Sequence, residues 1–442
     1  MLLAALLPLF AQAQEQAAPT AGRETVTLRR CIEEGLKNNY SIHIADNRRQ
    51  TARENATAGN AGMLPTVTAT AGYGLDLTSA RNNVRSTGKT TLSANYLDHA
   101  LQAQVGVVWT AFDGLGMQAR YKELTLLRKQ GDLEHRMAVE DLVASITSEY
   151  YNCIQQRIRL RNYLNAVRLS RERMRIVEAR YNIGNFSRLD YMQAKVDFNA
   201  DSAQYMKQQE ALYTSMIELD RMLNNGDDMK RRIVPTDTVI AVAQRLDYDE
   251  LWEDVTAYNT DLQNSQLATG LAEQALRKVL ARNYPSVRLN AGYGYNYNKY
   301  EVAANRWTDR WGPSAGVSVS FDIFDGTRRA AQRSARRNKE NAKLQYDDLC
   351  MKLRARFNTL IQSHANNLQI LALEQQNLET AQENYAIARE RYLLGDLSGF
   401  EMREAQQSLL GAEERILRAA YDTKMCEISL LLMSGCIERY MD

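Results

Sequence analysis

The chain has 442 residues, 24% of them charged, and a net charge of +2, so nothing global points to nucleic acid or an acidic substrate. Hydrophobic residues make up 45% and there are only six prolines, a balance that favours long solvated helices over many short elements. The five cysteines (Cys31, Cys153, Cys350, Cys426, Cys436) show no C-x-x-C spacing, and none of the four histidines (His43, His99, His135, His364) sits at metal-ligand spacing from another, which argues against a disulfide scaffold or a structural zinc.

The opening M-L-L-A-A-L-L-P-L-F-A-Q-A-Q reads as a secretory signal over residues 1–13, with a small-x-small site at Ala11-Gln12-Ala13. No later stretch reaches the roughly 18–20 apolar residues of a membrane helix. Export without such a helix leaves secreted, periplasmic or β-barrel outcomes. Val26 to Ala61 has helical periodicity broken near Asn38-Asn39, and Gly59, Gly62 and Pro65 stop it. Val67, Ala69, Ala71, Tyr73 and Leu75 then alternate with Thr and Gly, which predicts a strand. A polar loop over about Thr78–Asp98 follows, and then a second alternating run through Val105, Val107 and Trp109. It ends at Phe112-Asp113-Gly114, where Asp113 is placed to cap the next helix and Gly114 to give a sharp exit.

Gly116 to Ile183 predicts one helix of roughly 100 Å at 1.5 Å per residue. A glycine break, A-R-Y-N-I-G-N-F-S-R-L-D-Y-M-Q-A from Ala179 to Ala194, separates it from a helix over Arg188–Leu223. A linker with a strand candidate at Thr238–Ala243 precedes a second copy of everything so far. Tyr258-Asn259 stands opposite Asn38-Asn39, Tyr284–Gly294 repeats Leu64–Gly74, and Val317, Val319, Phe321 and Ile323 form the return strand. Phe324-Asp325-Gly326 repeats the corner, and Asp325 and Gly326 take the roles of Asp113 and Gly114. A long helix over Arg328–Leu394 then reaches E-R-Y-L-L-G-D-L-S-G-F-E-M-R-E-A, Glu390 to Ala405, and a shorter one runs to Met433. The domain reading is a first repeat over 14–226 (hairpin about 64–113, turn about 181–188), a linker over 227–245 and a second repeat over 246–442 (hairpin about 284–325, turn about 392–399). Two half-length helices end to end match one full-length helix, which predicts a rod with hairpins at one end and glycine breaks at the other.

Each alternating run is about 10 residues, the length of a tilted transmembrane strand, and Tyr73, Trp109, Tyr293, Tyr295, Tyr297, Tyr300, Trp307 and Trp311 fit an aromatic girdle. Four strands cannot close a membrane barrel and open edges are not tolerated in lipid, so several chains would have to share one barrel.

The two hairpins opening L-P-T-V-T-A-T-A-G-Y-G and Y-P-S-V-R-L-N-A-G-Y-G, the paired F-D-G corners and the paired R-Y-x-x-G turns resemble the TolC-type outer-membrane factor family over Leu28 to Met433. The resemblance implies an α+β membrane protein of mainly long α-helices. Three chains form a homotrimer whose 12-stranded β-barrel, four strands per chain, continues into a periplasmic α-helical barrel. It implies residence in the outer membrane of a Gram-negative bacterium, in contact with outer-membrane lipid. The function implied is a passive exit duct for tripartite efflux or type I secretion, served by a periplasmic adaptor (membrane fusion) protein and an inner-membrane transporter.

By the same resemblance Arg180, Tyr181, Gly184 and Ser187, with Arg391, Tyr392, Gly395 and Ser398, form the adaptor-docking tip. Asp190 and Tyr392 match residues that hold the entrance shut. Leu397 stands where the family has a basic partner, and Arg188 is the nearby substitute. Glu401 and Glu404 match a pore-facing acidic pair, which three chains would turn into rings favouring cations.

The basic run Arg328, Arg329, Arg333, Arg336, Arg337 and Lys339 fits inner-leaflet phosphate headgroups or plain solvation rather than nucleic acid. No nucleophile–base pair, phosphate cradle or metal cluster is evident, so the expectation is no enzyme, no cofactor and no metal. The rival readings are a soluble periplasmic coiled-coil adaptor and an autonomous porin-like channel.

Overall fold

The computed structural model describes residues 23–83, 85, 88–184, 186–224, 232–243, 246–302 and 305–440. The signal expected over 1–13 lies outside them, as does part of the linker. The chain packs as two compact units, and each takes segments from both halves of the duplication.

The first unit comprises Met1–Asp46, His135–Thr260 and Met351–Asp442. It contains strand β1 (Arg23–Val26), helix α1 (Leu28–Asn38) and most of the 67-residue helix α3 (Gly116–Asn182). Helix α4 (Arg188–Leu223), strand β4 (Arg232–Pro235) and helix α5 (Tyr248–Tyr258) follow, then the later part of α7 (Arg328–Leu394), α8 (Gly399–Met433) and a 3-10 turn at Ile437–Tyr440. An apolar stripe of α3 forms part of the core: Leu142, Ile146, Tyr150 and Ile154 are buried, as are Ile32, Leu219, Leu223 and Ile233. β1 and β4 pair in parallel, Arg23 opposite Arg232 through Val26 opposite Pro235. This corrects the linker reading: the strand lies at 232–235 and residues 238–243 are irregular.

The two asparagine breaks have one physical role. Asn39 Nδ2 donates to Met222 O at 2.8 Å, and Asn259 Nδ2 donates to Met433 O at 2.9 Å. Each break thus satisfies a terminal carbonyl of the helix ending beside it, α4 or α8. Asn224 closes α4 in the left-handed region at φ 47° and returns a bond to Asn38 O. All five cysteines are free; Cys31 and Cys153 are buried, and burial pushes both thiols up to about 12.

The second unit comprises Asn47–Glu134 and Asp261–Cys350. Its sheet is antiparallel in the order β2-β3-β5-β6, formed by β2 (Thr66–Asn83), β3 (Thr90–Phe112), β5 (Ser286–Lys299) and β6 (Trp307–Ser320). Parts of α2 (Tyr40–Asn55) and α6 (Thr260–Ala281) and the starts of α3 and α7 complete it. Gly131, the internal glycine of α3, lets two helices meet: a Cβ there would stand 3.0 Å from that of Ala52.

The strands correct the expected lengths. Much of the polar stretch over 78–98 is strand, because β2 and β3 pair from Thr66 opposite Val108 out to Asn83 opposite Thr90. The last pair between β3 and β5 is His99 with Lys299, so beyond it the first hairpin runs on as a two-stranded ribbon. A ribbon with no face packed on a core carries no apolar alternation by which sequence could mark it. β6 stops at Ser320, so Phe321 and Ile323 are not strand residues.

Candidate functional site

The two glycine turns share one backbone design. Gly184 has φ +82° and donates its N–H to Tyr181 O at 3.0 Å; Gly395 has φ +93° and donates to Tyr392 O at 3.2 Å. Both sit in the left-handed region that a Cβ disfavours, and both face open space. Ser187 and Ser398 then cap the next helices in full capping boxes. Asp190 Oδ2 accepts from Ser187 N (3.1 Å) and Oγ (2.6 Å), and Glu401 Oε2 accepts from Ser398 N (3.0 Å) and Oγ (2.7 Å). Those bonds from Ser398 hold the Glu401 carboxyl below its ordinary range. Glu404 is exposed on the same face of α8, one turn on.

The side chains do not repeat with the backbone. Tyr181 is 36% exposed and stacks on Tyr191 with ring centroids 5.8 Å apart. Its sequence counterpart Tyr392 is 2% exposed, in an apolar cluster with Val177, Ala194, Ala388, Met402 and Ala405. Arg180 crosses to the other turn, donating to Leu393 O at 3.0 Å and lying over the rings of Phe186 and Tyr392. Arg391 is exposed and its charge acts on Glu401.

The expected latch residues occupy different roles within one chain. Asp190 is engaged by its own helix cap. The Tyr392 hydroxyl has no hydrogen-bond partner among the described residues, and burial pushes its phenol up. Leu397 packs on the Tyr392 cluster, so an apolar contact stands at the position where a basic residue was expected. Arg188 is exposed and makes no ion pair within the chain among the described residues.

Sequence reading missed two buried ion pairs just above the turns. Arg173 of α3 pairs with Asp197 of α4, and Arg403 of α8 holds Asp201 of α4 through two bonds of 2.7 Å. The available signal was two aspartates four residues apart on one face of α4. Beside them lies a cavity of about 460 Å³, lined by Arg173, Phe186, Asp190, Asp197, Phe400 and Arg403. Ile183, Leu189, Leu394 and Phe400 are 70–79% exposed around the turns.

In the sheet, the register sorts side chains by polarity. Directly opposed residues share a face, so Tyr73, Leu101 and Tyr297 stand in one row that ends in Asp309, and, one row on, Ala103, Tyr295 and Trp311 lie together. Val67, Val107, Ala291 and Ala315 continue that face. The other carries Thr68, Thr70, Gln102, Gln104, Asn290, Asn296 and Ser318 with several glycines. Tyr297 and Trp307 stack with centroids 6.4 Å apart at one end of the apolar face. No helix among the described residues is long and apolar enough to cross a membrane, and no metal-holding group of His, Cys, Asp or Glu occurs among them.

Comparison with known proteins gives a match to the outer membrane efflux protein family over residues 31–225 and 251–436, which is most of the chain and covers both repeats. The chain belongs to that family. Among relatives of this outer membrane efflux protein, the toluene efflux pump outer membrane protein TtgC of Pseudomonas putida is 22% identical over 432 residues, covering 92% of this chain and 82% of the relative. The crystal structure of the outer membrane protein VceC of Vibrio cholerae superposes with a TM-score of 0.75 at 18% identity, covering 92% of this chain and 96% of that one. The Campylobacter jejuni CmeC outer membrane channel superposes with a TM-score of 0.78 at 15% identity, covering 99% and 94%.

The strand-to-helix corners of this efflux protein differ more than their shared F-D-G suggests. Asp113 Oδ1 accepts from Met117 N at 3.1 Å, and Gly114 has φ +72° with Ala281 O only 2.3 Å from where a Cβ would stand. Asp325 is bound by Thr327 N (2.8 Å), Thr327 Oγ1 (2.7 Å) and Arg282 (2.9 Å), which hold its carboxyl below its ordinary range. Gly326, in contrast, has open space around it and no positive φ. Gly114→Ala is therefore expected to cost about 1–2 kcal/mol in backbone strain and about 1–3 kcal/mol more in overpacking, whereas Gly326→Ala costs little. Thermal unfolding of the two variants side by side checks this; equal midpoints would show that the first corner yields.

Proposed function

We propose that this chain forms a homotrimer in the outer membrane of a Gram-negative bacterium and acts there as a passive exit duct of a tripartite efflux pump. A periplasmic adaptor and an inner-membrane transporter supply it and provide the energy, so this chain contributes a water-filled path and no catalysis. The observation that carries the reading is the sheet, which has one apolar face, one polar face and two unpaired edges, β2 and β6. β5 and β6 have 14 residues each, about 46 Å of strand, or roughly 33 Å of height at a 45° tilt, which suits a 30 Å hydrocarbon core. In lipid both edges need partners, and further copies of the same sheet supply them by pairing β6 to β2. The efflux role in the name of TtgC points the same way, with cargo chosen by the transporter. In this assembly the glycine turns form the periplasmic mouth.

The test is size and conductance. Protein extracted from outer membranes is expected to run as a trimer in detergent and to conduct poorly in planar bilayers while the mouth is closed; a monomer in the soluble fraction overturns the reading. Glu401 and Glu404 form acidic rings at the mouth in this reading. Glu401→Gln with Glu404→Gln is expected to lower the cation-to-anion permeability ratio several-fold, the direction set by removing fixed negative charge from a pore. Unchanged selectivity would remove both residues from the pore.

A further inference from the structure

We propose that the start of α7 and the loop before it form a docking surface for phospholipid headgroups of the inner leaflet, an inference that rests on the outer-membrane reading. Residues 328–339 carry Arg328, Arg329, Arg333, Arg336, Arg337 and Lys339 and no acidic residue. Three of these cations are engaged within the chain: Arg328 donates to Asp322 O at 3.0 Å, Arg337 pairs with Glu340 at 2.7 Å and Lys339 with Glu273 at 3.7 Å. Arg329, Arg333 and Arg336 are exposed and make no hydrogen bond or ion pair within the chain among the described residues. Their spacing of four and three residues puts them on one helix face, over about 10 Å of rise. The headgroup layer flanking the hydrocarbon core is roughly 5–8 Å deep on each side, so the stripe is long enough to span it.

The chain alone gives this stripe no stabilisation. The first turn of α7 holds no acidic residue, so Arg329 opposes the positive end of the helix dipole, and Arg329 and Arg333 repel each other at i,i+4. At the start of α3 the same problem is solved internally, where Glu123 takes Arg120 at 2.9 Å and Lys278 at 2.7 Å. At α7 the three guanidinium groups have no such carboxylate within ion-pair distance among the described residues and are open to an anion from outside the chain.

A free anion would leave the adjoining residues unexplained. Between the end of β6 and Asp325, Phe321, Ile323 and Phe324 are 52%, 86% and 89% exposed. They follow directly on Val317 and Val319 of the apolar sheet face, 68% and 66% exposed. Apolar side chains that continue a lipid-facing surface, next to guanidinium groups able to grip phosphate with paired N–H donors, match a phospholipid at the depth where its acyl chain meets its headgroup.

The test uses the full-length protein in detergent, titrated with phosphatidylglycerol and read by native mass spectrometry, with oligomeric state recorded in the same spectra. Wild type is expected to retain phosphatidylglycerol in a salt-sensitive way. The triple variant Arg329→Gln, Arg333→Gln, Arg336→Gln is expected to bind it roughly 100-fold more weakly, from about fivefold per charge. The triple Lys variant, which keeps the charge and loses the paired donors, should bind between wild type and the Gln variant, and inorganic phosphate at matched concentration should not displace the lipid. Equal retention by the Gln variant, displacement by inorganic phosphate, or dissociation of the Gln variant into monomers would each overturn the proposal. Wild-type protein that fails to insert into membranes at all sinks the outer-membrane reading itself, whereas inserted protein with lipid-indifferent arginines sinks only this surface.

Discussion

Gly395→Trp is expected to abolish efflux while leaving the trimer at normal level, whereas Gly395→Ala keeps most activity. Both replacements force a Cβ into φ +93° and carry the same backbone strain, about 1–2 kcal/mol. They differ only in bulk. Apart from the glycine and its two chain neighbours, no described atom lies within 4 Å of the position a Cβ would take, so the first carbon of either side chain meets open space. Function lost beyond the Ala variant with the trimer at normal level is the result that a docked adaptor predicts. The measurement is drug susceptibility of cells carrying each variant, with trimer quantified in the membrane fraction. If the Trp variant pumps as well as the Ala variant, the second turn is not a docking point. For the first turn the matching probe is Gly184→Trp. Gly184→Pro is less clean, because proline cannot reach φ +82° and removes the N–H that bonds Tyr181 O at 3.0 Å.

The long helices were legible almost to the residue, and the reason is local. Arg188–Leu223 and Arg328–Leu394 agree with α4 and α7 because the signals are local: Ser187 caps α4, and the Gly395 turn ends α7. The alternation of the strands was legible for a similar reason, since a strand with one apolar face repeats every second residue, while the register between them was not. What escaped the sequence depends on partners distant along the chain. β1 and β4 are four-residue strands made by pairing Arg23–Val26 with Arg232–Pro235, and neither has a period of its own. The ribbon beyond His99 is mostly polar, Leu77 opposite Leu97 being an exception, and shows no sustained alternation.

The turns show the same division. Their glycine breaks were legible, whereas sequence reading assigned Asp190 to a latch and Glu401 to a pore ring and missed the helix caps that both form. The burial of Tyr392 against the exposure of Tyr181 depends on which helix packs over each turn. Duplication in sequence conserved the backbone design and let the two side-chain sets diverge. The leucine at 397 illustrates this, because it joins the Tyr392 cluster instead of presenting a charge.

Breaking the Arg403–Asp201 pair is expected to loosen the mouth more than any change to Arg188. Asp201 accepts from both Nη1 and Nη2 of Arg403 at 2.7 Å, and the two side chains are only 9% and 15% exposed. Burial works against the Arg403 charge, but Asp201, with Asp197 nearby, holds the guanidinium above its ordinary range. In Asp201→Ala the cation stays buried without its partner, which costs about 3–5 kcal/mol. That cost falls where α4 of the first repeat meets α8 of the second. Amide exchange over the first turns of α8 should rise about 100-fold or more, if local opening absorbs the penalty. Under the duct reading, basal conductance in planar bilayers should rise with it. The double variant Asp201→Leu, Arg403→Leu separates charge from packing: with no buried ion left, it should recover most of the exchange protection, because apolar side chains in place of a buried pair are often neutral or stabilising. If Asp201→Ala leaves α8 fully protected and the conductance unchanged, the pair does not hold the two repeats together. If the double variant is as loose as the single one, shape rather than charge is what the site supplies.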